Sequence, residues 1–176
     1  MNVADILPLS CYKSQRDFES KLPVMKPLFL YMDTSTIGGY YDFEFEEATQ
    51  GLWASAKAGK HSLLASELTE QEIMRPGTPQ RVKDLFSATF KEVLPITEEA
   101  ILLAKAYMER QVVPEKYYDD GLHVAIATVH RLEYVVSWNY AHLVNVQRRK
   151  AFNGVNLLEG YGPMEIVTPK EFDYEE

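Results

Sequence analysis

Asp120 stands in Tyr117-Tyr118-Asp119-Asp120-Gly121-Leu122-His123-Val124-Ala125-Ile126-Ala127, at the start of a segment that is otherwise nearly all apolar. An ionised carboxylate there is either a helix cap or a metal ligand. Matching acids are Asp33, which closes the run Leu28-Phe29-Leu30-Tyr31-Met32, and Glu67 and Glu72, which follow Leu63-Leu64-Ala65-Ser66. Short apolar runs that stop at a polar residue read as buried strands, and open parallel sheets gather their ligand sites at strand ends. Carboxylates collected there suit Mg²⁺ or Mn²⁺ better than Zn²⁺. Such a site performs phosphodiester hydrolysis: the ion lowers the pKa of a bound water and stabilises charge on the phosphorus oxygens, with two ions about 3.5–4 Å apart in the two-metal form.

Each acid also has a plainer account. Asp33, followed by Thr34 and Ser35, can cap the turn after its strand through local side-chain hydrogen bonds. Glu67 and Glu72 fall in the first turns of a helix, where the dipole favours acids. Five residues apart, they lie about 140° apart around the axis, so at most one points into a given site, and Glu72 is the choice. Asp119 or Asp120 can be an N-cap, which explains only one of the two. Caps have no reason to recur at equivalent topological positions, so the three regions together favour a hard-oxygen site of Asp33, Glu72 and Asp120. His123, one turn on, reads as a core histidine hydrogen-bonded to a neighbour. Trp138, Tyr117-Tyr118 and Tyr40-Tyr41 offer faces for base stacking or simply for packing. Arg148-Arg149-Lys150, the one compact basic run, is either a solvated helix face or the best phosphate contact.

Strands alternating with helices must position these residues. The expected order is a strand to Asp33, a helix from Phe43 to Ala58, a strand from His61 to Ala65, and helices over Glu67 to Met74 and Thr78 to Phe90. Thr97 heads a helix to Arg110, and the Asp120 helix ends near Arg131. Next come a strand from Glu133 to Trp138, short helices over Asn139 to Asn145 and Arg148 to Phe152, and a strand from Met164 to Thr168. This alternation gives an α/β fold with a mostly parallel sheet.

The 176 residues suit one domain over 27–172, with an N-terminal extension or tail over 1–26 and an acidic tail over 173–176. Met25 is an alternative natural start. The net charge of −8 does not advertise nucleic-acid binding, although acids clustered at a metal site inflate that figure. The single cysteine, Cys11, excludes an internal disulfide framework. No stretch has the length of a membrane span and no secretory signal opens the chain, so a cytoplasmic location is expected. A phosphate-cradling glycine loop, a Gly-x-Ser-x-Gly elbow and a paired-histidine zinc helix are all missing from the sequence.

These segments resemble a PIN domain, and in particular the VapC-like toxins of toxin–antitoxin pairs, from about Lys26 to Glu171. Tyr31-Met32-Asp33-Thr34-Ser35 is similar to the opening strand, and Asp120-Gly121-Leu122-His123-Val124-Ala125-Ile126-Ala127 to the family's Asp-Ala-Leu-His-x-Ala-x-Ala. Ser66-Glu67-Leu68-Thr69-Glu70-Gln71-Glu72-Ile73 resembles Ser-x-x-Thr-x-x-Glu-Leu, which places the acidic ligand on Glu72, with Glu67 as second choice. Where the family often has a fourth Asp, this chain has Asn139 and, three residues on, His142. A neutral Asn binds a second ion more weakly, and Asp119 can partly compensate. Ser-Trp-Asn followed by an aromatic residue is similar to a VapC-like subgroup.

The resemblance implies a three-layer α/β/α fold with four or five strands. It also implies Mg²⁺- or Mn²⁺-dependent endoribonuclease activity, homodimerisation and inhibition by an antitoxin. In that reading Asp33, Glu72 and Asp120 hold the metal, Asn139 is an auxiliary ligand, and Thr34 and Ser35 support Asp33 or position water. Two competing readings are a catalytically weak PIN-fold module that holds RNA or a protein, and a small-molecule phosphohydrolase.

Overall fold

Leu30 and Met32 lie on one face of the first strand and Tyr31 on the other, all three fully buried, and this period-2 pattern is what a strand covered on both sides requires. The computed structural model describes residues 27–172; the expected extension over 1–26, with Cys11 and Met25, and the tail over 173–176 lie outside the described residues. Among the described residues β1 (Leu28–Met32), β2 (His61–Leu64), β3 (Tyr134–Val136) and β4 (Glu165–Val167) form one sheet in the order β2-β1-β3-β4, with every pair parallel. The expected α/β fold is therefore present, with four strands.

Helices cover both faces. Tyr31, Val135 and Ile166 join α5 (Glu98–Glu109), α6 (Tyr118–Val129) and α7 (Val146–Leu158) in one core, through Tyr107, Ile126 and Phe152. Leu30, Met32, Val136 and Val167 join α1 (Thr34–Gly39), α2 (Glu46–Lys57) and α4 (Gln80–Thr89) in the other, through Ile37, Leu52 and Phe86. The short α3 (Glu67–Ile73) contributes Leu68 to the first core and Ile73 to the second. Thr97 caps α5 as its sequence suggests, accepting from Ala100 N–H at 3.1 Å.

Three elements differ from expectation. Residues 34–39 form α1 immediately after β1, because Asp33 caps it by accepting from Thr36 N–H. The expected helix over Asn139 to Asn145 is a turn: Asn139 Oδ1 accepts from His142 N–H at 3.0 Å, a local bond that competes with helix. Beyond it α7 is longer than Arg148 to Phe152, with Asn145 Oδ1 capping Gln147 and Arg148 N–H.

From β1 the chain moves to β2 on one side, then crosses to β3 on the other, so the strand order reverses between β1 and β3. A crevice opens outside the carboxyl ends of strands at such a reversal, and ligands bind there. Asp33 and Ser137 are the residues next after Met32 and Val136, which are in register at this point. No helix among the described residues is long and apolar enough to cross a membrane.

Candidate functional site

Asp33 is 4% exposed and surrounded by donors. Oδ1 accepts from Ser35 Oγ at 2.7 Å and from Thr36 N–H and Thr36 Oγ1, each at 3.0 Å. Oδ2 accepts from Ser137 Oγ at 2.7 Å. Both serines relay backbone donors: Trp138 N–H donates to Ser35 Oγ and Asn139 N–H to Ser137 Oγ, each at 2.9 Å. The carboxylate is thus the N-cap of α1 and also the point where the ends of β1 and β3 are stitched together. Ser137 escapes a search for acids, but it closes an apolar run in register with Asp33, and that position is the signal for it.

Glu72 and Glu67 turn opposite ways. A Ser66–Thr69 capping box starts α3, and Glu67 Oε2 accepts from Ile96 N–H at 2.9 Å, away from Asp33. Glu72 Oε2 accepts from Thr34 Oγ1 and from His123 Nε2, the latter at 3.0 Å. Arg75, one turn on, lies 3.9 Å from Glu72 Oε1 and 3.6 Å from Asp119 Oδ2. Burial by itself would raise the Glu72 carboxyl, but His123, Thr34 and Arg75 together hold it below the ordinary range. His123 is the hydrogen-bonded core histidine expected. Burial would lower its pKa, but Tyr31, Glu72 and Asp33 push it up to about 10.

Asp120 is not an N-cap: a 3₁₀ turn over Glu115–Tyr117 leads into α6, Tyr117 holds the cap position, and Asp119 and Asp120 fall in the first turn. Burial raises the Asp120 carboxyl, and the charges of Asp33 and Glu72 raise it further against the opposing pull of His142 and His123. The three acids thus share one electrostatic neighbourhood. Asn139 Nδ2 donates to Asp120 Oδ1 at 3.1 Å, while its own Oδ1 is taken by His142 N–H. Asn139 thus donates to Asp120 while its Oδ1 holds the turn. His142 stacks on Tyr117 at 3.6 Å, and Lys116 lies over the same ring at 4.6 Å.

The aromatic residues divide. Trp138 is buried, stacks on Phe45 at 4.6 Å and donates to Thr49 Oγ1 at 3.0 Å, and a Cβ at Gly39 would come within 2.7 Å of its indole nitrogen. Tyr40 and Tyr41 pack edge to face, Tyr40 also meets Trp53, and Tyr118 packs on the first core. In the basic run, Arg149 Nη1 donates to Ile166 C=O on the edge strand β4 at 3.2 Å, Arg148 is half-buried and Lys150 is exposed. The run lies in the first turns of α7, which starts at the same end of the sheet as the acids.

Among the described residues no three His, Cys, Asp or Glu side chains stand close enough together to hold a metal ion as arranged. Asp33 is filled by hydroxyl donors and Glu72 by His123, so the acids face one region without a common point. Their chemistry fits a hard cation even so: the donors are all oxygen, and a divalent ion would relieve the like charges felt at Asp120. Comparison of the chain with known protein families, with curated proteins and with solved structures gives no match.

Proposed function

We propose that the chain is a Mg²⁺- or Mn²⁺-dependent PIN-type endoribonuclease, acting as a homodimeric toxin held in check by an antitoxin protein. The observation that carries the reading is the set of hydrogen bonds that ties three acids from separate segments to the strand reversal: Thr34, next to Asp33, donates to Glu72, and Asn139, whose N–H donates to the Ser137 hydroxyl held by Asp33, donates Nδ2 to Asp120. Asp33, Glu72 and Asp120 would hold the ion, which when bound supplies an activated water and charge stabilisation at phosphorus. Ser35, Thr36 and Ser137 orient Asp33. Asn139 orients Asp120. Arg75 on the rim, with Arg148 and Lys150 beyond, offers cationic contacts to an RNA backbone that the overall charge of −8 would otherwise repel.

The test is cleavage of mixed RNAs with Mn²⁺ and with EDTA, by the full chain and by Asp120→Asn. The expected result is metal-dependent cleavage that falls about 100-fold or more in a folded Asp120→Asn protein. Full activity in that variant would remove Asp120 from the site. A PIN-fold module that binds RNA or protein without efficient cleavage is the second reading, favoured by the commitment of Asn139 Oδ1 to a turn. RNA binding with no metal-dependent cleavage would establish it.

A further inference from the structure

A continuous run of buried hydrogen bonds leads from the N-cap of α3 through β1 and α6 and back to Glu72 on α3. Thr69 N–H donates to Ser66 Oγ at 3.3 Å, Ser66 Oγ meets the Tyr31 hydroxyl at 2.7 Å, and that hydroxyl meets His123 Nδ1 at 2.7 Å. His123 Nε2 then meets Glu72 Oε2 at 3.0 Å. Tyr31, Ser66 and Thr69 are fully buried and His123 nearly so.

We propose that His123 is a positioning residue for the metal site: with Tyr31 and Ser66 it fixes Glu72 so that Oε2 is spent on protein donors and Oε1 alone faces a cation. The proposal rests on the metal-dependent reading above. Glu72 Oε2 already accepts from Thr34 Oγ1, and His123 is its second donor. Two donors on Oε2 leave Oε1 the less committed oxygen of Glu72. Oε1 has only Arg75, at 3.9 Å.

The arrangement holds in either state of the imidazole. When the ring is neutral, Ser66 donates to Tyr31 and Tyr31 to Nδ1, which leaves the proton on Nε2. When it is cationic, Nδ1 donates to Tyr31, Tyr31 to Ser66, and Ser66 to Thr69 Oγ1 at 3.3 Å. Nε2–H faces Glu72 in both. His123 Nε2 is aimed at a site acid 51 residues away in sequence.

The test is a calorimetric titration of the full chain with MnCl₂, beside RNA cleavage at graded Mn²⁺ and a melting curve for each variant. His123→Gln keeps an amide nitrogen near the Nε2 position, whereas His123→Leu keeps only bulk. The Leu variant should bind Mn²⁺ about 10–100-fold more weakly and need correspondingly more Mn²⁺ for half-maximal cleavage, with the Gln variant restoring most of the affinity. Tyr31→Phe, which releases the far end of the relay, should lie between wild type and His123→Leu, and it decides the matter if His123→Leu does not fold. Wild-type Mn²⁺ affinity in folded His123→Leu, or in Tyr31→Phe where the Leu variant fails to fold, overturns the positioning role alone. Equal losses in the Gln and Leu variants that track their melting temperatures also overturn it. A wild-type chain that neither binds Mn²⁺ nor cleaves RNA overturns the metal-dependent reading and the positioning role with it.

Discussion

At the carboxyl end of the sheet Asp33 lies buried beneath hydroxyl and amide donors, whereas at the amino ends of β3 and β4 Glu133, Glu159 and Glu165 lie exposed around a cleft of about 900 Å³. Glu159 meets Arg110 there at 2.9 Å, with both side chains over a third exposed, a pair of the kind that contributes little. Both ends are acidic, so charge alone does not separate them. What separates them is desolvation matched by dedicated donors: the fold invests a ring of hydroxyls in Asp33 and a histidine in Glu72. That contrast is why we place function at the carboxyl end.

Asp33→Ala attacks the contrast where it is strongest. It takes the carboxylate acceptor from Ser35 and Ser137, leaves Thr36 Oγ1 with Val136 C=O alone and removes the cap of α1, so chemical denaturation should show a loss of about 3 kcal/mol. A loss under about 1 kcal/mol would mean that the ring is not built for Asp33. Ser137→Ala removes one donor and leaves Asn139 N–H without its acceptor, and about 1 kcal/mol is expected in the same measurement.

Asp120→Asn should have a smaller effect of opposite sign. The folded carboxyl pKa is raised above the ordinary 3.8, so ionisation opposes folding at neutral pH, and that penalty disappears once the pH falls below the unfolded value. Melting temperature in metal-free buffer should therefore rise in the variant at pH 7, and the gain should vanish in acid. A lower melting temperature at pH 7 would show that the charge is stabilised rather than strained. Glu165→Gln, at the amino end, should move stability by no more than about 0.5 kcal/mol, and a larger change would erase the distinction between the two ends.

The parts of this arrangement that were legible in the sequence are those set by chain-local rules. Apolar runs gave the four strands to within one or two residues, and Thr97 and the helices over 67–73 and 98–109 followed from caps and first-turn acids. Helical spacing separated Glu67 from Glu72, and they do turn apart. Less was legible where a side chain competes with the backbone: Asn139 reads as the opening of a helix until its Oδ1 is seen to take His142 N–H. The supports of the site were hidden for another reason. Ser137, Tyr31 and Ser66 carry no charge and reach their partners only through strand register and helix packing, which one sequence does not display. Arg75 was within reach, since it lies three residues after Glu72, just past the C-cap of the same helix.

The pairing of β1 with β3 has a consequence for synthesis. Asp33 waits for Ser137, a partner 104 residues later in the chain, and the β3 strand that completes its surroundings is made after β1, β2 and six of the seven helices among the described residues. At ribosomal rates of about 5–20 residues per second, a growing chain carries Asp33 for roughly 5–20 s with its Ser137 donor still unmade. Truncated or stalled products ending between Asp120 and Tyr134 would contain all three acids and lack the strand that brings Ser137 to Asp33. The order of the strands thus acts as a timer, holding the carboxyl end of the sheet unassembled until translation has reached Ser137.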